Sequence, residues 1–97
     1  MKLDTFNNRT KAISKGSNAY NYSLALLTGA KVVYTCHTSG SGRFTTNIDR
    51  TKETIDVLQR AGLRLGIDFV QDNDSPRGGR TGNFIKLTSK GKRKMIK

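Results

Sequence analysis

The segment 75–83 combines the residue types best suited to hold a phosphate group. It reads SPRGGRTGN, so that three glycines lie close to two arginines. Glycine lets the backbone approach a ligand closely, and a planar guanidinium forms paired hydrogen bonds with phosphate oxygens. The sequence therefore predicts that Arg77, Gly78, Gly79 and Arg80 grip the phosphate backbone of a nucleic acid.

A run of cations follows this segment. Residues 77–97 contain eight Lys or Arg and no acid, in a chain of net charge +11. Lysine and arginine release counterions from a nucleic-acid backbone, which gives an affinity that is independent of sequence and steeply dependent on salt. A basic chain end can also serve solubility alone. The contact residues predicted here are Lys86, Lys90, Lys92, Arg93 and Lys94.

Two phenylalanines lie beside basic residues. Phe44 directly follows Arg43, and Phe84 precedes Lys86 by two positions. Unpaired bases stack on aromatic rings next to cations. The sequence therefore adds Arg43, Phe44 and Phe84 to the predicted nucleic-acid-binding residues.

Patterns typical of enzymes are weak. Cys36 and His37 are consecutive, so in a strand their side chains point to opposite faces and cannot form a nucleophile–base pair. The acids Asp68, Asp72 and Asp74 lie close together in the sequence and could bind magnesium. Residues 72–76 read DNDSP, which is typical of a turn, and we favour the turn over a magnesium site. One cysteine and one histidine exclude a cysteine-based or multi-histidine metal site. We expect no catalytic residues, metal or cofactor.

Length and hydropathy narrow the class of protein further. A chain of 97 residues is one domain's worth. Its longest apolar run, residues 24–27, is far shorter than the roughly 20 residues that cross a bilayer. The N-terminus lacks the apolar stretch of a signal peptide, and a single cysteine fits a reducing compartment. These features predict a cytoplasmic protein without a membrane contact.

Apolar spacing predicts the helices. One covers 5–15, with Asp4 as its N-cap and Gly16 as its stop. The clearest helix covers 49–61, where Asp49 can cap the first turn and the following Gly-Leu pair can close the last one. Residues 18–28 fit both helical and strand periodicity, and we favour a helix.

Strands are expected where β-branched and aromatic residues alternate with polar ones. Val33 and Tyr34 then face opposite ways, and Ile67 shares a face with Phe69. A turn at 37–42 and a long polar loop at 72–83 separate the strands into two hairpins. The predicted strands cover residues 31–36, 43–48, 66–72 and 83–89.

Together these elements predict a small α+β domain over residues 1–89, followed by a flexible basic tail at 90–97. Its antiparallel sheet of two hairpins, about four strands, packs with two or three short helices and leaves one face to solvent. Lys31, Lys86 and an aromatic ring are expected on the open face. The aromatics assigned to the core are Phe6, Tyr34 and Phe69.

The preferred function is a small, non-catalytic nucleic-acid-binding protein that grips the backbone through the Gly/Arg loop and the tail. DNA and RNA, and single and double strands, stay open, as does the oligomeric state. One alternative is an inhibitor or accessory protein of the phage or mobile-element type, which docks on a host enzyme or a nucleoprotein defence complex. A third interpretation is a binder of a small phosphorylated nucleotide.

Overall fold

The structure is a computed structural model that describes residues 1–40, 45–74 and 82–97. Within these ranges two helices are followed by two strands, a third helix, two more strands and a short last helix. The helices are α1 (Leu3–Arg9), α2 (Asn18–Leu27), α3 (Thr51–Arg60) and α4 (Ser89–Lys92). The strands are β1 (Val33–Gly40), β2 (Thr45–Asp49), β3 (Phe69–Asp74) and β4 (Gly82–Leu87).

The described strands form one antiparallel sheet in the order β2-β1-β4-β3. This arrangement, with helices packed on the sheet, confirms the predicted α+β class, although the described residues form four helices where two or three were predicted. The segments 41–44 and 75–81 lie outside the described residues, so the turns that would complete the two hairpins stay a prediction. The order places β1 and β4 in the middle of the described sheet.

The core lies between one face of the sheet and the helices. Val33 pairs directly with Ile85 across β1 and β4, and both side chains are buried. Each large apolar side chain buried in this way contributes roughly 1.5–3 kcal/mol to folding. The helices and β3 supply the other large buried side chains, among them Phe6, Leu26, Leu27, Val57, Leu58 and Phe69.

The helix predicted over 49–61 is confirmed as α3, but it begins at Thr51, so its N-cap is Arg50 and not the predicted Asp49, which lies one residue earlier. The carboxylate of Asp49 accepts a hydrogen bond from the Thr51 N–H at 2.9 Å, and contacts with Thr51 lower the pKa of Asp49. At the other end Gly62 has a φ of 100°, a conformation that glycine adopts without strain. The Leu63 N–H then donates to the Leu58 carbonyl at 3.0 Å, as in a Schellman ending.

A bulge in β1 anchors the start of α3. The register between β1 and β4 shifts between Tyr34 and Cys36. The intervening Thr35 is buried, and its hydroxyl lies 2.8 Å from that of Thr51. The Arg50 N–H also donates to the Thr35 carbonyl at 2.8 Å. These bonds fix α3 against the inner face of the sheet while the preceding Tyr34 points away from it.

In the N-terminal half, the bounds of the first predicted helix are wrong and the second predicted helix is confirmed. Helix α1 begins at Leu3 and ends at Arg9, so the predicted helix over 5–15 begins and ends too late, and its N-cap is Lys2 and not Asp4. The buried Thr10 hydroxyl donates to the Phe6 carbonyl at 2.8 Å, and Thr10 leaves helical geometry there. Residues 18–27 are helical, as favoured, and the Ser17 hydroxyl caps them by accepting a bond from the Tyr20 N–H.

Two predicted loops are partly strand. Residues 37–40, assigned to a turn, pair with β2. Likewise Asp72 and Asp74, assigned to the long polar loop, pair with Phe84 and Gly82 of β4. Ladder hydrogen bonds from a neighbouring strand outweigh the weak strand preference of these polar residues.

The strand predicted from residue 66 begins only at Phe69. Asp68 holds the preceding residues in a turn, because its carboxylate accepts the Arg64 N–H at 2.8 Å. Ile67 is therefore 41% exposed, whereas Phe69 is fully buried, and their predicted common face is wrong.

The basic C-terminal segment contacts the rest of the fold. The Ile96 N–H donates to the Leu27 carbonyl at 2.7 Å, and the Lys97 N–H donates to the Met1 carbonyl at 3.1 Å. The Met1 ammonium in turn donates to the Met95 carbonyl at 3.0 Å. These contacts join residues 95–97 to α2 and to the N-terminal residue, and the flexibility expected from the charge of this segment stays a prediction. No helix in the described ranges is long and apolar enough to cross a membrane.

Candidate nucleic-acid interface

A cleft of about 560 Å³ lies where β1 begins and β4 ends. The antiparallel pairing of these strands brings the residues before β1 next to those after β4. Lys31 comes from the first group, Lys86 from β4 and Lys92 from α4, and all three line the cleft. We call this site the lysine cleft. Leu26, Leu87 and Met95 form its apolar lining.

The charge of the three cleft lysines is not paired within the described part of the chain. All three side chains are exposed. Among the described residues, ion pairs involve Arg50, Arg60, Arg64 and Lys94, but none of the cleft lysines. The cleft therefore presents three ammonium groups to an anion without first breaking an internal pair.

The sheet face turned away from the helices carries an aromatic pair. Tyr34 lies directly opposite Phe84, and their ring centroids are 5.9 Å apart at an angle of 60°. Tyr34 is 41% exposed, and Phe84 is half-buried. Lys86 follows on the same face, with Val70 opposite it, and Asp72 lies opposite Phe84 on β3. We call these five residues the outer face.

Lys86 belongs to both the outer face and the lysine cleft. It follows Phe84 by two positions on β4, and residues so spaced share one side of a strand. Two successive residues advance a strand by roughly 7 Å. A continuous surface thus leads from the aromatic pair past Lys86 to Lys31 and Lys92.

The structure brings together only some of the predicted binding residues. Phe84 and Lys86 lie on the outer face, and Lys92 joins Lys86 in the lysine cleft. Lys90 and Arg93 are exposed on α4 and at its C-cap, outside the cleft lining. The remaining predicted residues lie outside the described ranges: Arg43, Phe44, Arg77, Gly78, Gly79 and Arg80.

Tyr34 is the residue that sequence reasoning misplaced. It was expected in the core, but its ring lies on the exposed outer face. Strand alternation already separates Tyr34 from the buried Val33, and that signal could have identified it. Its pairing with Phe84 depends on the strand register, which neither segment reveals alone.

Lys94, for which a nucleic-acid contact stays a prediction, makes contacts within the fold. Its ammonium donates to the Asp68 carboxylate at 2.8 Å and to the Gly62 carbonyl at 3.1 Å. Asp68 is 1% exposed, and it also accepts a hydrogen bond from the Arg64 guanidinium. The hydrogen bond from Lys94 lowers the pKa of Asp68 to about 2. Lys94 therefore fastens the C-terminal segment to the α3–β3 connection.

This cluster predicts a specific pH dependence of stability. The pKa of Asp68 is about 2 in the folded protein and near the ordinary 3.8 in the unfolded chain. The charged carboxylate therefore stabilises the fold fully above about pH 4, and its contribution falls as the pH drops toward 2. We expect Asp68→Asn to unfold at lower urea than the wild type at pH 7, with a difference that shrinks at pH 3.

Asp56→Asn is the matched control, since Asp56 pairs with Arg60 on the surface with half its side chain exposed. Exposed pairs contribute little, so its urea midpoint should move only slightly at either pH. An equal loss for Asp68→Asn at pH 7 and pH 3 would contradict the role of its charge.

No family model matches this chain, and neither a curated protein nor a solved structure matches it. In the described part of the chain no three or more His, Cys, Asp or Glu side chains are grouped to hold a metal ion. The functional proposals therefore depend on the chemistry of the lysine cleft and the outer face.

Proposed function

We propose that this protein binds nucleic acid without catalysis and holds the phosphate backbone at the lysine cleft. The observation that carries the proposal is the convergence of Lys31, Lys86 and Lys92 on one cleft, where none of them forms an ion pair with another described residue. Ammonium groups clustered in this way neutralise adjacent phosphates and release their counterions. The net charge of +11 adds long-range attraction to any polyanion.

The surroundings of the cleft support a phosphate-binding role. Ser89, whose side chain is exposed, also lines the cleft and supplies a hydroxyl that can donate to a phosphate oxygen. Thr88 is engaged within the fold, because its hydroxyl accepts the Gly91 N–H at 3.2 Å. Lys90 and Arg93 extend the positive surface beyond the cleft. The role predicted for Arg77 and Arg80 stays a prediction.

Fluorescence anisotropy tests the proposal directly. Labelled single- and double-stranded DNA and RNA are titrated with the protein over a series of salt concentrations. We expect a Kd below about 1 μM at physiological salt, tighter than typical non-specific binding. The logarithm of the binding constant should fall linearly with the logarithm of the salt concentration. Loss of binding to all four ligands at physiological salt would refute the proposal.

The size of the lysine cleft also favours a second candidate, the binding of a small phosphorylated nucleotide. Its volume of about 560 Å³ falls within the roughly 300–1,000 Å³ typical of small-molecule sites. A nucleoside triphosphate would then raise the melting temperature with increasing concentration, because it binds only the folded protein. An unchanged melting temperature across nucleoside mono-, di- and triphosphates would exclude this candidate.

A further inference from the structure

We propose that the nucleic acid bound by this protein is single-stranded, with unpaired bases stacked on Tyr34 and Phe84. This inference rests on the proposed function and names its substrate class. The phosphates of the same strand would lie against Lys86 and continue into the lysine cleft. Shape, exposure and charge of the outer face each support it.

Tyr34 and Phe84 form a pair of rings on one face of the sheet, on which a base could stack. Tyr34 and Phe84 occupy the two central strands of the described sheet, at directly opposite positions. The neighbouring Val33 and Ile85 are buried against the helices, so the two rings point to the other side. Tyr34 is 41% exposed, so part of its ring surface faces solvent on this side of the sheet.

The positive charge next to the aromatic pair favours a nucleic acid as the partner of the outer face. An exposed apolar face alone would equally suit a second protein surface. Here Lys86 flanks Phe84 on the same face and leads to Lys31 and Lys92 in the lysine cleft. Asp72, the acid of the outer face, lies on the β3 side of Phe84, away from Tyr34. Aromatic rings beside Lys86 and the lysine cleft match the bases and phosphates of a single strand.

Duplex nucleic acid fits this surface less well. Its bases are paired and stacked inside the helix, and their edges are reached by elements that enter a groove. The outer face lies on a sheet, where Tyr34 and Phe84 occupy the two central described strands and not an element that enters a groove. Unpaired bases, in contrast, can turn outward and stack on such rings. Both RNA and DNA single strands present this chemistry.

The test compares one oligonucleotide sequence as a single strand and as a duplex, by anisotropy at physiological salt. We expect the wild type to prefer the single strand. Tyr34→Ala and Phe84→Ala should each weaken single-strand binding by about 5- to 150-fold, the loss typical of one stacked base. Duplex binding should change little. Tyr34→Phe should retain single-strand binding, because it keeps the ring.

Intrinsic fluorescence gives a second readout, since the chain has three tyrosines and no tryptophan. Stacking should quench the emission of Tyr34 when a single strand is added, and Tyr34→Phe should remove that part of the signal. Leu65→Ala is the control, because Leu65 is 46% exposed in the α3–β3 connection, outside the outer face. Its single-strand affinity should equal that of the wild type.

The outcomes separate this inference from the proposed function. Equal binding of single strand and duplex, with both alanine variants unaffected, would overturn the inference and leave the proposed function standing. Absence of binding to either form would overturn both. A dimer that dissociates on Tyr34→Ala, with nucleic-acid affinity unchanged, would also overturn the inference, because the outer face would then bind a second copy of the chain.

Discussion

Replacing Lys31, Lys86 and Lys92 together with glutamine is expected to weaken nucleic-acid binding by about 100-fold at physiological salt. Each phosphate contact contributes roughly 0.7–0.9 to the slope of log K against log salt. Loss of three contacts should therefore reduce the steepness of that slope by about 2 to 3. Anisotropy titrations over a salt series measure the affinity and the slope together.

A control with the same change in net charge separates the lysine cleft from general attraction. Lys11, Lys15 and Lys52 are exposed and do not line the cleft. Their replacement by glutamine also lowers the net charge from +11 to +8. We expect less than a tenfold loss of affinity, because only long-range attraction changes. Equal losses in the two triple variants would show that the cleft is not the binding site.

Replacing Gly91 with alanine is expected to destabilise the protein by about 1–3 kcal/mol, the usual cost of overpacking a close contact. Gly91 is buried in α4 and lies directly against the backbone of Asp68. A Cβ at this position would overlap the Asp68 carbonyl oxygen and lie 2.8 Å from the carbonyl carbon. The same carbonyl accepts the Thr88 N–H at 2.9 Å, so it cannot move without loosening the start of α4.

Urea unfolding measures this effect, with Lys90→Ala as the control. Lys90 is the exposed neighbour of Gly91 in the same short helix, and its replacement should shift stability by no more than about 0.5 kcal/mol. Unchanged stability of Gly91→Ala would contradict the close packing of α4 against Asp68.

Hydrogen exchange on the same proteins tests the order of the C-terminal segment. The amides of Ile96 and Lys97 donate to Leu27 and Met1, so they should be protected in the wild type and exchange faster in Gly91→Ala. Fast exchange of both amides in the wild type would instead support the flexible tail that the charge pattern predicts.

Several features of this protein could be predicted from short segments of the sequence alone. Asp49 and Gly62 lie within two residues of the two ends of α3, because the residues that begin and end a helix act over short distances in the sequence. The alternation of Val33 and Tyr34 assigns opposite faces within one strand. The run of basic residues from 77 to 97 favours a polyanion as the partner, because charge is a property of composition.

Only the tertiary structure decided which residues meet. The order β2-β1-β4-β3 places Tyr34 opposite Phe84 and brings Lys31 to Lys86, although about 50 residues separate each pair in the chain. The buried Asp68 forms an ion pair with Lys94, so one cation of the basic segment stabilises the fold. Register and buried ion pairs depend on the packing of distant segments, which no local pattern encodes. The sequence thus determined the charge and most local elements, and the packing of the sheet determined which of them form a common surface.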